Sequence, residues 1–145
     1  MAKLLLDMGA MQDDFFADTA MIGIVSAQAG YRFCWMLNKH FDIAFKNYPE
    51  QNITFKKKDN TFYYPTYQYD LDNCDHKYLL YKLKSGNETL IPETKQLDYL
   101  WLIQTANPEH DAHIILRELK NIPDVQMAQQ LATEQIKKSL NNLLV

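Results

Sequence analysis

The chain is short of cysteine, glycine, surplus charge and long apolar runs, and each shortage closes off a class of protein. Its two cysteines, Cys34 and Cys74, sit in unlike settings, with no CxxC pair and no Cys/His spacing suited to a metal. That argues against a disulfide scaffold or a zinc site, and reduced thiols in the cytoplasm are the simplest account. The four glycines, Gly9, Gly23, Gly30 and Gly86, are scattered, so there is no glycine-rich phosphate loop. Net charge is −3, the wrong sign for a general nucleic-acid binder, which needs a basic face. The one cationic run, Lys56-Lys57-Lys58, reads as a solvated hairpin edge, where lysines discourage edge pairing. No apolar run has the length of a membrane-spanning helix, and the start, Met1 to Asp7, lacks the apolar stretch of a signal peptide. No membrane partner and no cofactor are expected.

What is present suits one compact domain over 1–145. A chain of 145 residues buries roughly 70% of its unfolded surface, so it needs no metal or disulfide to hold it. At 47% hydrophobic and 23% charged residues it is too apolar for wholesale disorder. Nine Tyr, seven Phe and two Trp are a heavy aromatic load, of the kind that sets rings half in a core and half at an interface.

The stretch Ile91 to Thr105, IPETKQLDYLWLIQT, organises the rest. A polar elbow, Ile91-Pro92-Glu93, leads into a nearly unbroken apolar run from Leu97 to Ile103. Such a run reads as a strand buried on both faces and central to a sheet. Before it come short strands at Lys3 to Met8 and Ala20 to Val25. A helix is expected from about Gln28 to His40, capped by Ser26, with Phe33, Cys34, Leu37 and Phe41 on one stripe. Tyr31, Trp35 and Met36 widen that stripe, which predicts cover on more than one side. Strands follow at Asp42 to Phe45, Ile53 to Lys57, Thr61 to Asp70 and Lys77 to Lys84. Pro65 removes a backbone donor and belongs at an edge or bulge. Asn107 and Pro108 open a second helix with Ala112, Ile115, Leu116, Leu119 and Ile122 inward, and Pro123 stops it. A strand at Val125 to Leu131 and a short helix at Thr133 to Leu140 complete the pattern.

This layout predicts an α+β fold. A mainly antiparallel sheet carries two helices on one face, in two β-α-β units separated by β-hairpins, plus a short C-terminal segment. Two helices shelter one face only. The other must be covered by a hairpin, by the C-terminal segment or by a second subunit, which favours a homodimer.

Few residues offer chemistry. Strand alternation sets Asp98 beside Leu100 and Leu102, with Leu97, Tyr99, Trp101 and Ile103 opposite. Glu93 lies within reach across the Pro92 elbow. The two carboxylates could work as acid and base or hold a cation, but more simply they accept backbone, Arg or Lys hydrogen bonds and fix the turn. His110 and His113 lack further ligands for a metal and read as surface residues. His40 sits where a cation suits a helix C-terminus. Cys34 and His40 are nearly two turns apart and cannot form a nucleophile pair. The ring-rich set Phe62, Tyr63, Tyr64, Tyr67 and Tyr69 has too little positive charge around it for base stacking and suits packing instead.

Ile91-Pro92-Glu93, then Thr94-Lys95-Gln96, then Leu97-Asp98-Tyr99 resemble the pattern that names the small bacterial IPExxxVDY family, with Leu97 in place of valine. The resemblance extends to Tyr31, Arg32, Leu37, Asn38, Lys39 and His40, to Ile122-Pro123, and to Lys138 to Leu143. It implies a bacterial cytoplasmic protein. The family has no assigned activity, so no catalytic residue carries over. The motif residues Ile91, Pro92, Glu93, Asp98 and Tyr99, and a secondary set of Tyr31, Arg32, Asn38 and His40, are the candidate positions. The leading expectation is a non-enzymatic protein that self-associates or binds another cytoplasmic protein. The alternative is a small-ligand or regulatory β-α-β domain with its site near Glu93 and Asp98. An enzyme using Glu93, Asp98 and His40 requires all three to line one cleft.

Overall fold

A computed structural model describes residues 19–48, 52–57, 59–71, 76–85 and 88–132, with backbone alone at 55–57. The expected first strand, the Cys74 turn, Lys58 and the C-terminal helix lie outside these residues.

The strands are β1 (Thr19–Val25), β2 (Lys46–Asn47), β3 (Ile53–Lys57), β4 (Asn60–Tyr64), β5 (Thr66–Asp70), β6 (Lys77–Lys82), β7 (Lys84–Ser85), β8 (Glu88–Thr89), β9 (Tyr99–Gln104) and β10 (Met127–Leu131). The helices are α1 (Gly30–Phe41) and α2 (Pro108–Leu119), with a 3-10 turn at Pro92–Thr94. The main sheet has six strands in the order β10-β1-β9-β6-β5-β2, and every neighbouring pair is antiparallel. Two further two-stranded ribbons are β3-β4 and β7-β8. The fold is therefore α+β, with two helices among the described residues. β9 and β10 flank β1 and run parallel to each other, so β9-α2-β10 is a β-α-β unit with a strand inserted between its arms.

Each central strand has two apolar faces, which is why both sides of the sheet bury a core. Ala20, Ile22 and Ile24, with Tyr99, Trp101 and Ile103, face the helices and meet Phe33, Cys34 and Leu37 of α1 and Ala112, Ile115 and Leu119 of α2. Rings dominate the α1 side: Tyr99 stacks on Phe33 at 4.2 Å, and Phe41, Phe45 and Tyr78 set their edges around Trp101 at 5.2–5.5 Å. Ring pairs at such angles contribute about 0.5–1.5 kcal/mol beyond the area they bury.

The opposite face holds Met21, Leu79, Tyr81, Leu100, Leu102 and Leu131, and it is buried within the one chain. Tyr64 of β4 and the segment carrying Leu83, Leu90, Ile91 and Leu97 lie over it, with Phe62 and Ile53 at the margin. The argument for association through a bare sheet face therefore fails. The folded-over hairpin and the elbow before β9 do the covering that a second subunit was expected to supply.

Several local expectations change for identifiable reasons. Thr61 to Asp70 is two strands: Pro65 interrupts it, β4 pairs with β3 in the covering ribbon, and β5 enters the main sheet. A proline ends one ladder, and here it turns the chain from one layer to the other. Asp42 to Phe45 is not a strand; pairing starts at Lys46. Asp42 instead closes α1 in the left-handed region, at φ 55°, with its N–H bonded to the Asn38 carbonyl. An Asp tolerates that conformation better than most residues. Ser26 does not cap α1, which starts at Gly30; its hydroxyl accepts the Gln28 N–H in the preceding turn. Pro108 does open α2, but the Asn107 side chain makes no capping bond.

Candidate functional site

The motif residues build a structural corner. Ile91 and Leu97 are fully buried, while Pro92 and Glu93 lie exposed on the 3-10 turn. β9 begins only at Tyr99, so Asp98 and Leu97 precede the regular alternation. Leu97 consequently packs with Leu100 and Leu102, not with Tyr99 and Trp101 as strand parity predicts.

Asp98 is the corner's polar pivot. One carboxylate oxygen accepts the Ser26 backbone N–H at 2.9 Å, and the other meets the Lys84 ammonium at 3.0 Å. Its own N–H bonds to the Ile24 carbonyl and its carbonyl accepts the Leu83 N–H. One residue thus ties β9 to the end of β1 and to the β6–β7 connection. Charge-assisted bonds of this kind contribute about 1.5–3 kcal/mol when shielded, and less here because both groups keep part of their hydration. Tyr99, the last motif residue, donates its hydroxyl to the Gln28 carbonyl at 2.5 Å. Burial pushes its phenol well above the usual range, so it stays a donor.

The secondary set lies on α1 and divides in two. Asn38 works inward. Its amide accepts the Phe45 N–H at 2.7 Å and donates to the Phe45 carbonyl at 3.1 Å, reproducing the paired bonds of a neighbouring strand. Beside it Cys34 is a free, buried cysteine whose thiol points at the same carbonyl, and burial pushes that thiol up to about 11. This is an inert packing thiol.

Tyr31, Arg32 and His40 face outward. Tyr31 is 78% exposed and Trp35, one turn on, is 59% exposed. The cover expected on that side of α1 is absent among the described residues. The Lys39 ammonium sits 5.0 Å from the centre of the Trp35 ring. His40 reaches across to Glu118 of α2 at 3.2 Å, a link between helices in place of the expected contact with its own helix end. Between the helices' ends runs a shallow groove of about 480 Å³, lined by Trp35, Met36, Lys39, His40, Ile122 and Pro123. A second hollow of about 470 Å³ adjoins it at Tyr31, Arg32 and Trp35. No α1 side chain is acidic, and Arg32 and Lys39 have no carboxylate partner among the described residues.

The two halves of the candidate list stay apart. Asp98 holds Ser26, which precedes α1, whereas His40 lies in the last turn of α1. About 15 Å of helix separates Gly30 from His40 at 1.5 Å per residue. Glu93, Asp98 and His40 therefore do not line one cleft. His110 and His113 are exposed, and no group of three metal-ligating side chains forms among the described residues. No helix among them is long and apolar enough to cross a membrane. Sequence reading passed over Lys84, whose only signal was its place at a strand end, and Ile122-Pro123 as a groove wall, for which a helix-stop pattern carries no hint.

Compared with models of known families, with curated proteins and with solved structures, the chain matches none.

Proposed function

We propose that the protein acts by binding another protein, in the cytoplasm, and that the outer face of α1 receives an apolar segment bearing acidic residues. One observation carries this reading: Tyr31 and Trp35, a turn apart on a helix without acidic side chains, stand in solvent beside Arg32 and Lys39. Exposed aromatics flanked by cations are the composition of interface anchors. The adjoining groove offers Met36, Ile122 and Pro123 to an apolar side chain. Positive charge without a carboxylate partner among the described residues, on a chain of net charge −3, favours a partner segment of opposite sign over a second copy at this face.

Binding is preferred to catalysis because the groups that catalysis would need are committed to holding the fold. Both Asp98 oxygens are in use, and His40 is bonded to Glu118. The same commitment weakens the small-ligand reading near Glu93 and Asp98. Membership of the bacterial IPExxxVDY family is proposed on the motif at Ile91 to Tyr99.

Trp35 reports on its own surface, because Trp101, the other tryptophan, is fully buried. A synthetic amphipathic peptide with Leu at helical spacing (i, i+3, i+4, i+7) and Glu at the remaining positions, with its Lys counterpart as control, is titrated into the protein while emission is recorded. The Glu peptide is expected to shift Trp35 emission to shorter wavelength in a salt-sensitive manner, and Trp35→Ala with a fully folded spectrum removes the response. Equal responses to both peptides, or none up to millimolar peptide, would sink the proposal.

A further inference from the structure

β10 ends the main sheet: its partner is β1, and the described residues place no strand on its outer side. Sheets ordinarily protect such an edge with lysine, proline or a bulge. This one has none of these. From Val125 to Ala132 the chain reads VQMAQQLA, eight residues without charge, proline or glycine. The five pairs with β1 run in unbroken register from Val25↔Met127 to Met21↔Leu131. At the opposite end of the sheet, β2 is two residues long and carries an exposed Lys46, so among the described residues the β10 edge is the longer one without a strand partner.

We propose that β10 pairs antiparallel with the β10 of a second copy of this chain, joining two six-stranded sheets into one. Antiparallel pairing about a two-fold axis sets the residue on the axis against its own copy, and residues equally spaced to either side of it against each other. Any charge near that axis meets its own copy, which destabilises a directly opposed pair. An uncharged strand is what such an axis tolerates. With the axis at Gln129, Met127 lies opposite the second copy's Leu131 and Ala128 opposite its Gln130. The two Gln129 amides meet, and each can donate to the other's carbonyl. Met127 is 39% exposed, an unbranched apolar side chain available to the contact.

A five-residue ladder buries less than the roughly 1,200 Å² typical of stable interfaces. The dimer is therefore weak, with a dissociation constant in the micromolar range or above. This inference rests on the sheet edge and is independent of the α1 face.

Sedimentation equilibrium of the full chain from micromolar to millimolar concentration tests it, together with Met127→Lys, Gln129→Lys and, as a control, Trp35→Ala. Met127 and Gln129 are not fully buried, and an unchanged circular dichroism spectrum and melting temperature confirm that the lysine variants fold. The wild type and Trp35→Ala are expected to dimerise with the same dissociation constant. Each lysine variant is expected to weaken it at least tenfold, and the amides of 127–131 to gain exchange protection as wild-type concentration rises. A wild type that stays monomeric at millimolar concentration would overturn the proposal. So would a dimer that keeps its strength with lysine at 127 and at 129, or one that Trp35→Ala abolishes.

Discussion

Leu97 occupies the space that a side chain on Gly23 would need. A Cβ placed at Gly23 would lie 2.5 Å from one Leu97 methyl carbon and 3.0 Å from the other, with Leu131 at 3.3 Å. All three residues belong to the core under the hairpin, where Leu97 is fully buried and cannot swing aside into solvent. Gly23→Ala is therefore expected to destabilise by about 1–3 kcal/mol, the usual cost of overpacking. Leu97→Ala alone is expected to cost about 2–5 kcal/mol through the cavity it leaves. In the double variant the new methyl enters that cavity, so the two losses should sum to more than the loss observed. Urea denaturation of the four proteins measures this, and strict additivity would show that Leu97 is not the obstacle.

Asp98 offers the cleanest separation of a structural from a chemical carboxylate. If its work is to hold Ser26 and Lys84, Asp98→Ala should lower stability by about 2 kcal/mol. Asp98→Asn retains an acceptor for the Ser26 N–H and should lose about half of that. Lys84→Ala should lose less than about 1 kcal/mol, because the pair is partly hydrated. Urea midpoints rank the three. An Asp98→Ala protein as stable as the wild type would return this residue to the list of functional candidates.

Alkaline pH probes the helix-facing core. Burial raises the Cys34 thiol from 9.0 to about 11, and the phenol of Tyr99 moves in the same direction. The folded chain then keeps the thiol proton at a pH where the unfolded chain has released it. This part of the stability is complete below pH 9 and is lost as pH rises from 9 to 11. Cys34→Ala should flatten that slope while leaving the higher, tyrosine-driven fall in place. In a Cys74→Ser background, Cys34 should react with thiol reagents near neutral pH only as fast as the protein opens. Rapid labelling of the native state would contradict its burial.

Much of the architecture could be read from residue pattern. The stripe Phe33, Cys34 and Leu37 and the stripe Ala112, Ile115 and Leu119 each marked a helix and its buried side, and both helices lie on the same face, though the wider cover expected of α1 is not seen among the described residues. The apolar run ending at Ile103 marked a central strand. The errors fall where a local pattern meets a distant partner. Alternation counted from Leu97 assigned it to the wrong face, because Asp98 leaves the strand to bond Ser26, a residue 72 positions away. Pro65 was visible as a missing donor, yet nothing nearby showed that the chain changes sheets there. Tyr31 and Trp35 were legible as apolar, but composition does not distinguish a ring that is covered from one that waits for a partner. Asn38 was singled out by resemblance alone; its pairing with the Phe45 backbone depends on a turn set by Asp42.

The position of β1 governs how the chain reaches its folded state. β1 begins at Thr19, yet both its neighbours, β9 and β10, come from the last third of the sequence. During synthesis the run Ala20 to Val25 must therefore wait, unpaired and apolar, until β9 and then β10 have emerged. Non-local pairing of this kind folds slowly and leaves the early segment open to aggregation. Fragments ending before Tyr99 should accordingly precipitate or recruit chaperones, and the yield of soluble protein should depend on how fast the ribosome delivers the final strands.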